Sequence, residues 1–310
     1  MCKKNRFTAA LAAVVFIFTW AFAVSAADGV EHTIVVTAHA HNERMRKEAQ
    51  KLRADDFVVR EEKLPQKILA VKPASEAPPI IAVLIQDDLV GRVNNELDGL
   101  RQFIRQLPEG SRVMTGYITA GSLRVAQDFT TDRARAADSL HILRSTAESA
   151  PYNPYVELLE GLRKFDAQPV GRRLVLMVSD GLDTSRGLEG ASALHSVDLE
   201  RAVREAQRRG VSVFSFYAPS VGLSSFSRLE ANYGQGALNR LAEETGGETF
   251  YSGFDFVSFD PYIKEFNELL GLQWVITYRS ETLGNSFRRI EVTTEANVHL
   301  HYPQGYSPKK

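Results

Sequence analysis

The hydrophobic pattern in the middle of the chain contains two apolar runs that end on carboxylates. The first run, Ile80–Ile85, leads to Asp87 and Asp88, and the second, Leu174–Val178, leads to Asp180. Apolar runs of this length without alternation are typical of strands buried on both faces of a parallel sheet. Ligands of open α/β sheets bind at the carboxyl ends of the strands, so we expect these acids to meet at one edge if the two strands are neighbours.

Strand and helix patterns alternate from residue 80 onwards. Apolar residues at helical spacing and helix-start residues predict the helices 92–107, 131–143, 154–165, 197–209, 235–245 and 259–270. Residues 113–128 predict a hairpin, and residues 218–234 predict a long loop. The alternation predicts an α/β domain with a doubly wound, mostly parallel sheet and helices on both faces.

The two ends of the chain have strand patterns instead. The predicted strands cover residues 32–37, 56–60, 66–71, 273–279, 286–293 and 296–302. Three strands are too few for a stable separate domain, and the chain ends of an α/β domain often lie close together. We therefore expect the N-terminal β unit (27–75) and the C-terminal β unit (272–310) to form one small β-sandwich, into which the α/β domain (76–271) is inserted.

The first residues have the composition of a leader. Three basic residues precede the apolar run Phe7–Val24, and small residues follow up to Ala26, which predicts a signal peptide at 1–26. We therefore expect export to the periplasm or secretion; an uncleaved membrane anchor is the alternative, and only it would give membrane contact. The net charge of −1 without basic clusters argues against nucleic acid as a partner. The single cysteine, Cys2, lies in the leader, so the mature chain has no disulfide.

Several short motifs in order resemble a known family. They are Leu-Arg-Ala-Asp-Asp-Phe-Val-Val at 52–59, Asp-Phe-Thr-Thr-Asp at 128–132, the strand 174–179 followed by Asp-Gly, Leu-Ala-Glu-Glu-Thr-Gly-Gly-Glu-Thr-Phe at 241–250, and Gly-Tyr at 305–306. Together they resemble von Willebrand factor A domains, in particular the "VWFA-related" group of exported bacterial proteins. The resemblance covers nearly the whole mature chain and implies a Rossmann-like fold.

The resemblance also implies a cation site. A-domains hold Mg²⁺ or Mn²⁺ with an Asp-x-Ser-x-Ser motif, a threonine from a second loop and an aspartate from a third. On this chain those acid and threonine positions fall on Asp87, Asn153 and Asp180, while the two serine positions fall on Leu89 and Gly91. The site is therefore expected to be degenerate, with oxygen ligands for a hard cation but without its hydroxyls.

A second register and a second interpretation bear on the same acids. Starting the motif at Asp88 would place Val90 and Arg92 at the serine positions, which fits the pattern less well. Alternatively, the acids cap helices and stabilise strand-end loops, as aspartate often does.

Four histidines form two His-x-His pairs, His39 with His41 and His299 with His301. Alternate residues of a strand share a face, so each pair could chelate Zn²⁺ or Cu²⁺, and the sandwich would bring both pairs into one domain. The alternative is that all four are surface histidines.

Binding is better supported than catalysis. The chain has no Gly-x-Ser-x-Gly elbow, P-loop or dinucleotide-binding turn, so an enzyme is not expected. Aromatic and arginine side chains are enriched at interface hot spots. In the loops at the carboxyl edge of the sheet they are Arg92, Tyr152, Tyr155, Arg186, Phe226, Arg228 and Tyr233. We expect an exported protein-binding module for adhesion or scaffolding; the alternatives are a metal-dependent hydrolase and a structural envelope protein.

Overall fold

The computed structural model describes residues 29–40, 42–187, 191–221, 228–281 and 286–308, so the predicted signal peptide lies outside the described residues. The described residues form one six-stranded sheet and two four-stranded sheets, together with seven α-helices. None of the helices among these residues combines the length and the apolar composition that a membrane crossing requires.

The helices are α1 (Glu43–Lys51), α2 (Leu97–Gln106), α3 (Arg133–Asp138), α4 (Pro154–Lys164), α5 (Val197–Arg209), α6 (Arg228–Thr245) and α7 (Asp260–Gly271). The central strands are β5 (Ile80–Gln86), β6 (Arg112–Thr119), β7 (Ser122–Thr130), β8 (Arg173–Ser179), β9 (Val211–Tyr217) and β10 (Thr249–Phe250). The outer strands are β1 (Val30–His39), β2 (Val58–Glu61), β3 (Leu64–Pro65), β4 (Lys67–Pro73), β11 (Gln273–Ser280), β12 (Arg288–Thr293), β13 (His299–His301) and β14 (Gly305–Tyr306).

The central sheet has the strand order β10-β9-β8-β5-β6-β7. Its pairs are parallel except for the hairpin of β6 and β7. Every residue of β5, β8 and β9 is buried, as expected for strands covered on both faces. Because β5 pairs directly with β8, the two apolar runs of the sequence are neighbours and their acids emerge at the same edge.

Helices cover both faces of this sheet. One apolar core packs α2, α3 and α7 against it, and the other core packs α4, α5 and α6 against the opposite face. The prediction of a doubly wound, mostly parallel α/β sheet is therefore confirmed.

The chain ends meet in the two smaller sheets. Their strand orders are β13-β1-β11-β4 and β14-β12-β2-β3, so each sheet contains strands from both ends of the chain. A common apolar core lies between the two sheets and includes Ile34, Val59, Ile276 and Ile290. The prediction that both ends build one β-sandwich around an inserted α/β domain is confirmed.

Three helix boundaries differ from the prediction. Helix α2 begins at Leu97, five residues after its predicted start, because residues 91–96 form a 3₁₀ helix. Helix α6 begins at Arg228, so Tyr233 and Gly234 belong to the helix and not to a loop. Gly234 suggested a loop but allows close packing instead, because a Cβ there would lie 2.0 Å from the carbonyl oxygen of Asp180. Helix α3 ends at Asp138, five residues before its predicted end, and the chain from 139 onwards runs back to the carboxyl edge of the sheet.

Candidate functional site

The carboxyl edge of the six-stranded sheet, with the loops and first helical turns on it, is called the rim below. Its loops comprise residues 87–90, 139–153, 180–187, 191–196, 218–221 and 251–259. Helices α5 and α6 begin at this edge because each connects the carboxyl end of one strand to the amino end of the next. Helix α4 begins here because the 139–153 loop brings the chain back from the end of antiparallel β7, which lies at the opposite edge.

Asp87 is buried and has a structural role. Its Oδ1 accepts a hydrogen bond from the Arg144 backbone N–H at 2.9 Å, and its Oδ2 lies 3.3 Å from Arg144 Nε and 3.9 Å from Arg124 Nη2. Its backbone carbonyl accepts a further bond from Ser145 N–H. Two guanidinium groups thus balance the charge of Asp87, which ties the 139–153 loop to the end of β5.

Asp88, not Asp87, forms the carboxylate pair with Asp180. The two side chains are 2 % and 4 % exposed. Burial raises the pKa of Asp88 to about 7, with the negative charge of Asp180 as the next cause, and burial also raises the pKa of Asp180. The pair therefore favours holding a proton.

Gln86 links the two acids. Its Nε2 donates to Asp88 Oδ1 at 2.8 Å, and its Oε1 accepts from the Ser179 hydroxyl at 2.6 Å and the Asp180 N–H at 3.3 Å. Gln86 thus connects Asp88, and not Asp87, to Asp180, while a cation site with its motif register on Asp87 stays a prediction. The strand ends at Gln86 and residues 87 and 88 form a turn, so the two adjacent aspartates point to different neighbours.

Asn153 and Asp183 act as local caps. Asn153 precedes α4, where its Oδ1 accepts from Tyr155 N–H at 3.1 Å and its Nδ2 donates to Asp198 at 2.8 Å. Asp183 accepts from the hydroxyls of Ser185 and Ser196 at 2.6 and 2.7 Å. Both side chains therefore stabilise the local backbone and the first turns of neighbouring helices.

The side chains present do not fit a Mg²⁺ or Mn²⁺ ligand set. Asp87 is paired with arginines, Asn153 caps a helix, and Leu89 places a buried apolar side chain at a predicted hydroxyl position. Hard cations need about six oxygens in near-regular geometry, with little tolerance for lost ligands in the case of Mg²⁺. Occupancy of Asp87, Asn153 and Asp180 by a cation stays a prediction, and no step of the proposed function passes through it.

The predicted binding residues divide into three groups. Tyr152 is 72 % exposed, and the exposed residues Arg92, Arg186 and Arg228 accompany it on the rim. Tyr155 is completely buried and donates its hydroxyl to Gly181 O at 2.6 Å, so its assignment to the binding surface is corrected. The reason is that Pro154 starts α4 and the first turn directs Tyr155 into the core.

The remaining two predicted residues lie elsewhere. Tyr233 is half-buried within α6, and Phe226 lies outside the described residues.

Exposed apolar side chains concentrate on the rim, a feature that the sequence pattern does not predict. In the described part of the chain, eight of the thirteen exposed large hydrophobic residues lie on rim loops or in first helical turns. They are Ile142, Tyr152, Val156, Leu194, Val197, Leu229, Tyr251 and Phe254. Exposed apolar residues clustered on one side of a domain mark an interaction surface, whereas scattered single ones do not.

The histidine pairs lie on neighbouring strands. His39 of β1 is opposite His299 of β13, and the rings of His39 and His301 stack at 5.0 Å. His41 lies outside the described residues. The sandwich thus brings three of the four histidines together. Two acidic neighbours of His39, Glu248 and Glu265, are not predicted by the sequence pattern.

No family model matches the sequence, and no curated protein matches it. Similar solved structures include an aerotolerance-related membrane protein from Bacteroides fragilis, with 14 % identity, a TM-score of 0.41, and 62 % of this chain and 98 % of that chain covered. The protein BatB from Bacteroides thetaiotaomicron is 13 % identical, with a TM-score of 0.43, and the match covers 63 % of this chain and 97 % of that chain. The SpRpn10 VWA domain is 12 % identical, with a TM-score of 0.39, and the match covers 63 % of this chain and 92 % of that chain. These values describe a likeness of fold alone, and no function is taken from them.

Proposed function

We propose that this protein is an exported protein-binding module, for adhesion or scaffolding, whose partner docks on the rim. The observation that carries the proposal is the concentration of exposed apolar side chains there, with Tyr152 and Leu194 the most exposed among them. Each exposed apolar group on a free surface loses the free energy that burial would give, about 25 cal/mol per Å². A partner that covers the rim recovers this free energy.

The charge of the rim indicates what kind of partner fits. The rim acids Asp87, Asp88 and Asp183 are buried and balanced internally. Glu148 and Asp255 are exposed acids on the same surface. The exposed charges of the predicted binding residues are the guanidinium groups of Arg186 and Arg228, together with Arg92. Complementary potentials raise association rates and select partners. We therefore propose a protein segment whose apolar side chains cover the exposed apolar residues of the rim and whose acidic side chains face Arg92, Arg186 and Arg228.

The proposed location follows from the leader. Basic residues, an apolar run and a small-residue site at Ala26 are the features that direct a chain to export. The periplasm or the extracellular space is accordingly the place where the partner is sought.

The alternative function of a hydrolase has less support from the geometry. A carboxylate that transfers protons to a substrate must reach it within hydrogen-bond distance. Asp88 and Asp180 are almost fully buried. Gln86 donates a hydrogen bond to Asp88 and accepts one from Ser179, so protein side chains provide the polar contacts beside these acids. Their elevated pKa values are therefore accounted for by burial within the fold.

The test is partner recovery from envelope extract with rim variants. Tyr152→Glu and Leu194→Glu place a negative charge on the apolar rim, and Val170→Glu does the same at the amino edge of the sheet, where Val170 is 73 % exposed. Loss of an interface hot spot costs about 2 kcal/mol or more, or roughly thirtyfold in affinity. We expect both rim variants to lose the partner and the Val170 variant to retain it. Equal recovery with all three variants would contradict the proposal.

A further inference from the structure

Three potential metal ligands meet at the junction of the sandwich and the α/β domain. They are His39 at the end of β1, Glu248 immediately before β10, and Glu265 in α7. One ligand atom from each lies within 4.8 Å of the other two, and His39 Nε2 is 3.2 Å from Glu248 Oε2. In the described part of the chain, this is the group of three or more histidine, cysteine, aspartate or glutamate side chains whose possible ligand atoms lie that close together.

Backbone contacts hold all three elements in place. The Ala38 N–H donates to Leu272 O at 3.0 Å, which fixes the end of β1 against the end of α7. The Glu248 carbonyl accepts from Ser215 N–H at 2.9 Å. Gly247 packs so tightly on β9 that a Cβ there would lie 1.9 Å from Val213 O. The backbone of the site is therefore preorganised. His39 is buried, Glu248 is half-buried and Glu265 is exposed, so binding an ion requires ordering of the Glu265 side chain.

The local charges favour a cation. The carboxylates of Glu248 and Glu265 lie within 4.8 Å of each other, so their negative charges repel one another. Arg46, the nearby arginine, already pairs with Glu268 at 2.7 Å and with Glu43 at 3.2 Å. A divalent ion between Glu248 and Glu265 would remove their repulsion.

The cluster is accessible from solvent. A cleft of about 580 Å³ between α1 and α7 reaches both His39 and Glu265, and it is also lined by Lys264 and Glu268. An ion can therefore enter without unfolding, and a coordination position would remain open toward the cleft.

We propose that His39, Glu248 and Glu265 bind one divalent transition-metal ion, with Zn²⁺ as the expected occupant. Zn²⁺ accepts imidazole nitrogen and carboxylate oxygen together, whereas Mg²⁺ prefers an all-oxygen, largely hydrated shell. Three protein ligands leave room for a fourth from water or a partner. The ion joins β1 of the sandwich to α7 and β10 of the α/β domain, so its binding stabilises the junction between the two units.

The proposed site differs from the expected His-x-His chelates, since it takes one histidine and two carboxylates. The experiment is a calorimetric titration of the purified full chain, stripped of metal with a chelator, with ZnCl₂. We expect saturable binding of one equivalent and a rise in the thermal unfolding midpoint that EDTA reverses. Glu265→Gln should weaken binding by roughly tenfold or more.

Two control variants separate this ligand set from its neighbours. Asp260→Asn changes a carboxylate in the same helix but outside the cleft, and His299→Ala removes the histidine opposite His39. Both variants should retain Zn²⁺ affinity within about twofold, because neither residue belongs to the proposed set. Absence of saturable binding, equal affinity in Glu265→Gln, or loss of binding in His299→Ala would overturn the proposal.

Discussion

The carboxylate of Glu61 accepts a hydrogen bond from the hydroxyl of Tyr278 at 2.8 Å, although 217 positions separate them in the chain. Tyr306 donates to the same oxygen at 2.8 Å, and Ser280 donates to the other at 2.6 Å. Glu61 belongs to β2, while its donors belong to β11 and β14 or end these strands. A buried acid from the N-terminal unit is thus satisfied by the C-terminal unit, which joins the chain ends and holds the α/β domain between them.

Replacing Glu61 by alanine should lower the free energy of unfolding by about 3–5 kcal/mol, because three buried hydrogen bonds are lost and Arg288 loses its acid at 4.0 Å. Chemical denaturation measures the change. Glu291→Ala is the control, since its half-exposed carboxylate lies 4.0 Å from Arg60 and should contribute about 0.5 kcal/mol or less. A loss below about 1 kcal/mol for Glu61→Ala would show that the network does not hold the sandwich together.

Two glycines of α6 should respond oppositely to alanine. A Cβ at Gly234 would lie 2.0 Å from Asp180 O, whereas a Cβ at Gly236 meets nothing within 4 Å. Gly234→Ala should therefore destabilise the fold by about 1–3 kcal/mol, and Gly236→Ala should stabilise it by about 0.5–1 kcal/mol. Thermal unfolding of both variants checks the prediction. Stability changes of the same sign in both variants would mean that α6 does not pack closely on the loop after β8.

The Asp88–Asp180 pair should make stability depend on pH. The pKa of Asp88 rises from 3.8 in the unfolded chain to about 7 in the fold, so the folded state binds this proton more tightly. The contribution of Asp88 to the free energy of unfolding is therefore most favourable below about pH 4, and it is lost as the pH rises through 7. The negative charges of Asp180 and Asp87 also raise the pKa of Asp88, so they increase the loss of stability at high pH.

Asp88→Asn removes the buried charge and keeps an acceptor for Gln86. Relative to the natural protein, it should be more stable at pH 8 by about 1–3 kcal/mol and equally stable near pH 4. Urea unfolding at the two pH values measures the difference. A stability difference that is the same at both values would mean that Asp88 does not titrate as a buried acid.

A separate prediction is that the rim does not bind Mg²⁺ or Mn²⁺. The contacts of Asp87 and Asn153 lead us to expect no saturable heat when Mg²⁺ or Mn²⁺ is titrated at millimolar concentration into the Glu265→Gln variant, in which the proposed zinc site is disabled. Asp180→Ala serves as the control. Saturable binding that Asp180→Ala abolishes would show that the degenerate site is occupied after all.

The sequence predicted the buried architecture better than the site. Uninterrupted apolar runs are enough to place β5 and β8 in the middle of a parallel sheet, and the strand-rich ends had too few strands to stand alone. The partner of Asp180 was missed because a turn after Gln86 decides which of two adjacent acids faces it. The hydrophobic periodicity of the sequence does not show how the chain turns after Gln86.

Long-range clusters were missed for a different reason. His39 and Glu265 are more than 200 residues apart, and only the docking of β1 on α7 brings them together. The exposed residues of the rim, such as Ile142 and Leu194, looked like ordinary loop positions in the sequence. Their common location becomes visible only when the loops converge at the edge of the sheet.

Site-specific photo-crosslinking in the source cell tests most directly whether the rim is a docking surface. A photoreactive residue is placed at Tyr152 on the rim or at Val170 on the opposite edge of the sheet, two positions of nearly equal exposure, 72 % and 73 %. We predict one discrete adduct at Tyr152, abolished by Leu194→Glu, and none at Val170. An adduct at Val170 alone, or equal adducts at both positions, would contradict a partner that docks on the rim.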